Sequence, residues 1–173
     1  MRYQARSIKG ALYDKRNNAT KLLSDTVTVT YPDLELLSET IKGVGINGEL
    51  DLPTYGQLGS LAVEISYNGL SKDTIDLFAQ QGQHLEHRWA SQVLNSGTGA
   101  SEIVGKKTII KGFPKKLGIG SIEPNKGEEP SYSMELTYLK YVIGNTVALE
   151  IDKLNDKFVV NGIDYTEAVR AVL

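Results

Sequence analysis

The longest β signal in the chain lies at residues 131–152, which read SYSMELTYLKYVIGNTVALEID. Its first half alternates apolar and polar residues, the period-2 pattern of a strand with one buried face. Gly144 and Asn145 form a turn dipeptide between the two halves, so the stretch predicts a hairpin of strands 131–143 and 146–152. The side expected to face the core consists of Tyr132, Met134, Leu136 and Tyr138.

Three earlier stretches alternate in the same way. Residues 26–31 alternate threonine with Val27, Val29 and Tyr31 before Pro32. Residues 46–52 predict a strand ended by Pro53, and residues 61–67 predict one followed by the turn pair Asn68-Gly69. The apolar sides expected in the core are Ile46, Leu50 and Leu52 in the second stretch, and Leu61, Val63, Ile65 and Tyr67 in the third.

The remaining segments predict one helix among further strands. Ser71 is a suitable N-cap, and Ile75, Phe78 and Ala79 recur at helical spacing until Gly82. Residues 84–94 and 103–113 predict strands, residues 117–130 a long loop, and the last residues one or two helical turns. The 173 residues therefore predict a single mainly β domain over 1–173. We expect two packed antiparallel sheets, as a sandwich or partial barrel, with one flanking α-helix.

Composition excludes several classes of function. The absence of cysteine rules out disulfides, thiolate zinc sites and a cysteine nucleophile. A net charge of −2 does not favour binding to a phosphate backbone. No stretch reaches the roughly 20 apolar residues that a membrane span needs, so we expect a soluble chain that is intracellular when made and does not insert into a membrane.

Two glycine-containing motifs resemble phosphate-binding sequences without the required context. Residues 43–48, GVGING, match the glycine fingerprint of dinucleotide-binding folds but lead into a predicted strand. No helix N-terminus therefore follows the glycines to bind a phosphate. Residues 105–108, GKKT, resemble the end of a phosphate loop but fail at two positions. Ala100 stands where the first glycine of the loop would be, and Lys107 stands where its serine or threonine would be. We therefore expect no cofactor. The glycines expected in turns are Gly43, Gly45, Gly48, Gly69, Gly144 and Gly162.

Catalytic and metal-binding patterns are equally weak. The only two histidines, His84 and His87, point to opposite faces if residues 84–94 form a strand. No serine elbow or interpretable set of acid, base and nucleophile is present. We therefore predict no catalytic residue, no metal site and no enzymatic activity.

Several segments, taken in order, resemble one protein family. They read VTVTYPDL at 27–34, IKGVGING at 41–48, MELTY at 134–138, EIDKLN at 150–155 and VNGID at 160–164, with the helix at 73–79 and the turn at 144–145 between them. This ordered set resembles the major tail tube proteins of contractile-tailed phages and of phage-tail-like bacteriocins. The first 26 residues are similar only loosely, and the loop at 118–130 differs.

The resemblance implies a structural, self-assembling subunit. It implies hexameric rings that stack into a hollow tube, with the inner sheets of six subunits joined into one barrel. It also implies a sheath protein outside the tube, and a tape measure protein and DNA inside it without sequence-specific binding. Such a tube forms part of a phage tail or tail-like particle and serves as a conduit for DNA or ions.

Polar strand faces suggest which residues line the tube. If the alternating strands belong to the inner sheet, their polar sides face the lumen, and every charge on those sides is negative. An acidic bore would repel DNA phosphates and let DNA pass. The predicted lumen-facing residues are Asn47, Glu49, Asp51, Glu64, Ser66, Ser133, Glu135 and Thr137.

A lysine-rich segment precedes an acidic one. It reads either as a solvated strand edge or as a basic surface that meets acidic residues of a neighbouring copy. We also expect the loop at 118–130 and residues 33–42 to stack the rings. The predicted contact residues are Lys106, Lys107, Lys111, Lys115, Lys116, Glu123, Glu128 and Glu129.

Two alternatives stay open at this point. The inner tube of a type VI-like or other contractile injection system would share the architecture and carry effectors. A monomeric β-sandwich that binds glycans belongs to a different class, and the nine tyrosines are compatible with it.

Overall fold

The computed structural model describes residues 2–16, 20–24, 27–43 and 45–173. Thr26 of the first alternating stretch and Val44 of the glycine motif lie outside these residues. The elements are β1 (Arg2–Asp14), β2 (Lys21–Ser24), β3 (Val27–Thr30), β4 (Leu36–Ile41), β5 (Leu50–Leu58), β6 (Ala62–Tyr67), α1 (Lys72–Asp76), β7 (Gln83–Asn95), β8 (Ser101–Gly118), β9 (Ser131–Ile143), β10 (Thr146–Asp152), β11 (Lys157–Val160), β12 (Ile163–Asp164) and α2 (Glu167–Arg170).

One large antiparallel sheet dominates the structure. Its strand order is β12-β11-β10-β9-β8-β7-β1-β2. Strand β6 pairs with β9 on one edge and with β3 on the other. Strands β4 and β5 form a separate two-stranded sheet. The predicted mainly β class is confirmed, and the described strands do not close into a barrel.

Strand β9 is the branch point of the large sheet. One edge of β9 pairs with β8 along nearly its whole length, whereas the other edge is shared between β6 at 131–135 and β10 at 138–143. In the ladder between β8 and β9, Lys111 pairs with Tyr138, and the next residue, Gly112, pairs with Leu136. Thr137 of β9 is therefore an extra residue without a partner in β8, which is a β-bulge. The bulge shifts the inward-facing positions of β9 by one residue.

The bulge corrects one sequence prediction. Tyr132, Met134 and Leu136 are buried as expected, but beyond Thr137 the buried residue is Leu139. Tyr138 was expected in the core and instead lies half-buried on the other face, where its hydroxyl donates a hydrogen bond of 2.9 Å to Glu150. Strict alternation therefore fails where the extra residue reverses the strand's faces.

A single core lies inside the curve of the sheet. It contains residues from six strands of the large sheet together with Leu61, which precedes β6, and Leu77, which follows α1. The predicted inward side of β6 is confirmed, because its residues alternate buried and exposed. The core residues are Leu12, Leu61, Val63, Ile65, Tyr67, Leu77, Leu85, Ile110, Tyr132, Met134, Leu136, Leu139 and Ile151.

The predicted helix at 71–82 is shorter than expected. Ser71 caps α1 as predicted, and its side chain and that of Thr74 form a reciprocal capping box. The helix ends at Asp76, and Thr74 and Leu77 are buried, whereas Ile75 and Phe78 are exposed. The predicted apolar face of Ile75, Phe78 and Ala79 was wrong, because a helix of five residues is too short to include all three.

The predicted strand at 46–52 is also corrected. Strand β5 begins at Leu50 and continues through Pro53 to Leu58. A proline is tolerated because β5 has only one neighbouring strand and the missing N–H can face away from it. Ile46, Leu50 and Leu52, expected in the core, are exposed. Sequence reasoning also assigned no strand to β1 or β2.

We predict that Gly112→Ala destabilises the chain. A Cβ at Gly112 would overlap the carbonyl oxygen of Glu135 across the bulge, and neither backbone can move without breaking ladder hydrogen bonds. The free energy of unfolding should fall by about 2–3 kcal/mol in chemical denaturation. Gly105→Ala in the same strand is the matched control, because its Cβ would meet nothing within 4 Å. Equal stability of the two variants would contradict the prediction.

Candidate functional site: the assembly surfaces

The long strand β1 leaves much of one edge without a partner. Strand β7 pairs with β1 from Arg2 to Asp14, but β2 pairs only with its last three residues. No described strand pairs with the other edge of residues 2–11. An unpaired edge of this length presents backbone donors and acceptors to another chain.

The β4–β5 hairpin, here called the arm, projects apolar side chains into solvent. Its register places Ile41 opposite Leu50 and Glu39 opposite Leu52, so these four side chains share one face. All four residues are exposed, and half of the accessible surface of Leu50 and of Leu52 remains open. We call this face of Glu39, Ile41, Leu50 and Leu52 the apolar ridge. It is unusual on an isolated protomer and marks a contact surface.

The arm is fixed at both of its roots. Tyr31 precedes the arm and belongs to a row of rings with His87, Trp89 and Tyr141. The Tyr31 hydroxyl and His87 Nδ1 lie 2.9 Å apart, within hydrogen-bond distance, and burial lowers the pKa of His87. At the other root a Cβ on Gly56 would overlap the methyl group of Thr166. The arm is therefore held against the body at its base.

The predicted lumen residues divide into two groups. Glu64, Ser66, Ser133 and Glu135 share one face of the paired strands β6 and β9. Asn47, Glu49 and Asp51 lie in the arm instead, where Glu49 pairs with Lys42 at 2.5 Å and Asp51 accepts a hydrogen bond from Thr40 at 2.5 Å. Thr137 is the bulge residue and donates to the carbonyl oxygen of Lys111.

Glu135 is held by several neighbours. Its carboxylate accepts hydrogen bonds from the Ser60 hydroxyl at 2.7 Å and the Leu61 N–H at 2.8 Å. Lys153 and Lys115 stand 3.8 and 4.0 Å away. Partial burial works to raise the pKa of Glu135, but these hydrogen bonds and lysines outweigh it and lower the pKa. By contrast, the carboxylate of Glu64 is exposed and forms no hydrogen bond or ion pair with any of the described residues.

The predicted contact lysines and glutamates do not form one patch. Lys106 is buried, whereas its strand neighbour Lys107 points to the opposite face. Lys111 lies over the ring of Tyr138 at 5.0 Å. Lys115 lies near Glu135, and exposed Lys116 pairs with Ser133 in the ladder.

The acidic residues of the loop at 119–130 are largely occupied within the protomer. Glu123 pairs with Lys126 at 2.5 Å, and Glu128 accepts a hydrogen bond from the Leu70 N–H at 3.0 Å. Glu129 is exposed beside Gly120. Glu129 is thus the one of the three predicted acidic contacts for which the described residues supply no side-chain partner.

The predicted turn glycines and histidines can also be placed. Gly45, Gly48, Gly144 and Gly162 have positive φ, whereas Gly43 and Gly69 do not. His84 and His87 lie on opposite faces of β7, and the described residues include no group of three metal-ligating side chains. Among the helices in the described ranges, none has the length and apolarity to cross a membrane.

Sequence reasoning missed the exposed position of the arm and the open edge of β1. A surface hairpin could have been inferred from residues 34–37, which read LELL and place three leucines among acidic residues. An unpaired edge and a solvent-exposed apolar arm are features of a subunit that completes its contacts with other copies.

The comparisons with known proteins agree with this class. The family model of phage tail tube protein FII matches residues 15–173. The tail tube protein of Escherichia phage P2 is 28% identical over 145 residues, which are 83% of this chain and 83% of that protein. The chain belongs to the phage tail tube protein FII family and is a structural subunit of a phage tail tube, a component of the virion.

We predict that Glu135→Gln destabilises the protomer in a pH-dependent way. Because the folded pKa is below the ordinary value of 4.5, the stabilisation by the carboxylate is present above that value and is lost as the pH falls. Denaturation midpoints should therefore differ at pH 7 and converge as the pH falls below 4.5 and through the lowered folded pKa of Glu135. Glu64→Gln, on the same face, should match the wild type throughout. A constant difference for Glu135→Gln would contradict the prediction.

Proposed function

We propose that the chain assembles into hexameric rings that stack as the hollow inner tube of a contractile tail. The family assignment supports the tube, and the resemblance stated above supports the six-fold ring. The observation that carries the proposal is the combination of an open β1 edge with an arm whose apolar ridge is exposed. We treat residues 1–173 as one functional unit.

The open β1 edge is suited to close the ring. Backbone groups on residues 2–11 require partners, and pairing with a neighbour's strand would supply them. Repeating this contact around six copies joins the sheets into one continuous barrel, which has no edges left to aggregate.

The arm and the loop at 119–130 are suited to stack the rings. Both extend from the large sheet, and the arm carries exposed apolar residues that a neighbouring ring would bury. A hairpin fixed at Tyr31 and Gly56 transmits such a contact to the body of the subunit.

The polar face of β6 and β9 is the proposed lumen surface. Glu64, Ser66 and Ser133 lie on this face together with Glu135. Glu135 is neutralised locally by its lysine neighbours, and the exposed Lys116 shares this face opposite Ser133, so Glu64 is the carboxylate on this face that is left without a described partner. Six copies per ring would present a ring of carboxylates that repels DNA phosphates. Asn47, Glu49 and Asp51 stand on the arm and are assigned to contacts between subunits.

The proposed partners follow from the tube. They are other copies of this chain, a sheath protein outside, and a tape measure protein and DNA inside, without sequence-specific recognition. The subunit acts by assembly and needs no catalytic step or cofactor.

Electron microscopy of the purified chain tests the assembly. Wild-type protein, alone or seeded with preformed rings, should give hollow rods with six-fold end views. Leu52→Asp should keep the wild-type melting temperature, because Leu52 is exposed, but should give no rods, because a charge cannot be buried at the ring contact. Rods from Leu52→Asp would exclude the arm from assembly, and a wild type that never assembles would contradict the proposed function.

A charge reversal tests the lumen. Tubes of Glu64→Lys should assemble normally and retain double-stranded DNA, because six lysines per ring would bind phosphates in a salt-dependent manner. Retention is measured by co-sedimentation of short duplexes with tubes at 50 and 200 mM salt. Glu167→Lys on α2 is the control and should retain no more DNA than the wild type. Equal retention by the two variants would place Glu64 outside the bore.

A further inference from the structure

A shallow trough of about 650 Å³ lies on the outer face of strands β1, β7 and β8, beside the β9–β10 turn. Paired residues of adjacent strands and alternate residues along a strand share one face of a sheet. The residues on the trough face are Lys9, Ala11, Tyr13, Arg88, Ala90, Gly105 and Lys107. The floor is therefore formed by Ala11, Ala90 and Gly105, with the Tyr13 ring at one end and cations at the rim.

The rim cations are positioned before any partner arrives. The guanidinium of Arg88 lies 4.7 Å from the ring centre of Tyr13 and forms an ion pair with the buried carboxylate of Glu86. Lys107 lies opposite Arg88 in the ladder and forms no ion pair with any of the described residues. The trough thus offers a positive rim around a floor of Ala11, Ala90 and Gly105, bounded at one end by the Tyr13 ring.

The arm has the complementary properties. The arm, residues 36–58, contains three acidic residues and one lysine, a net charge of −2, which equals the total of the whole chain. The apolar ridge carries Glu39 beside Ile41, Leu50 and Leu52. A ridge of this kind can place its leucines on a small-residue floor while Glu39 meets the cationic rim.

The contact must join two copies of the chain. Within the protomer the ridge is exposed and the trough is open, so the arm does not fill its own trough. A contact between two different surfaces of identical subunits is heterologous, and it propagates from subunit to subunit. Such a contact suits a stack of rings. The loop acids Glu123 and Glu128 are weaker candidates because each is already bound within the protomer.

We propose that the apolar ridge of one subunit's arm docks in the trough of a subunit in the next ring, with Glu39 facing Lys107 and Arg88. This inference rests on the proposed function and names the receptor for the arm.

Exchange of the paired charges tests the docking. Lys107→Glu and Glu39→Lys should each weaken assembly, measured as the critical concentration by sedimentation, by about tenfold, since like charges then meet at each contact. The chain that carries both substitutions should return to within about threefold of the wild type, because the opposite charges are restored. An equimolar mixture of the two single variants should also co-assemble. Lys72→Glu on α1 is the control. Lys72 forms no ion pair with any of the described residues, so this variant should behave as the wild type.

The other outcomes overturn the docking without affecting the tube. Normal assembly by both single variants, or no recovery in the double variant, would show that the ridge binds elsewhere. Normal assembly by Lys107→Glu together with weaker binding of duplex DNA would assign the trough to nucleic acid. A wild type that forms no rods under any seeding would instead contradict the proposed function itself.

Discussion

The bulge at Thr137 is the constraint on which the rest of the structure depends. The bulge lies where β9 stops pairing with β6, at Glu135, and starts pairing with β10, at Tyr138. The bulge moves the inward position from Leu136 to Leu139 and lets Tyr138 turn outward to Glu150. Gly112 makes this possible, because any side chain there would collide with the backbone of Glu135. The reversal of the strand's faces therefore coincides with the point at which the large sheet branches around its core.

The branched sheet leaves surfaces that one protomer cannot satisfy. Strand β1 extends well past its partner β2, so its outer edge stays open. The arm, fixed at Tyr31 and Gly56, carries leucines into solvent. Burial of these leucines against a second copy is favourable by the same hydrophobic effect that forms the core. The chain therefore divides its apolar residues between its own stability and its assembly.

Much of the fold could be predicted from local sequence, because strands β6, β9 and β10 have one buried face and turn residues at their ends. The class, the hairpin at 144–145 and the buried side of β6 followed from these patterns. The candidate surfaces were harder to predict. Glu64 and Glu135 belong to the same kind of alternating pattern, yet only Glu135 is enclosed by Ser60, Leu61 and two lysines. These neighbours are distant in sequence, so alternation could not distinguish a held carboxylate from an exposed one.

The sequence by itself determined the mainly β class, the strand and turn positions of the C-terminal half and, through its resemblance, the family. Periodicity reports which side chains share a face, and that information is local. Only the tertiary structure decided whether an apolar face meets the core or solvent: the apolar residues of β6 and of β5 alternate alike, but β6 pairs with β3 and β9, whereas β5 pairs with β4 alone. The physical reason is that burial depends on which strands pair, and pairing is set by contacts between residues far apart in the chain.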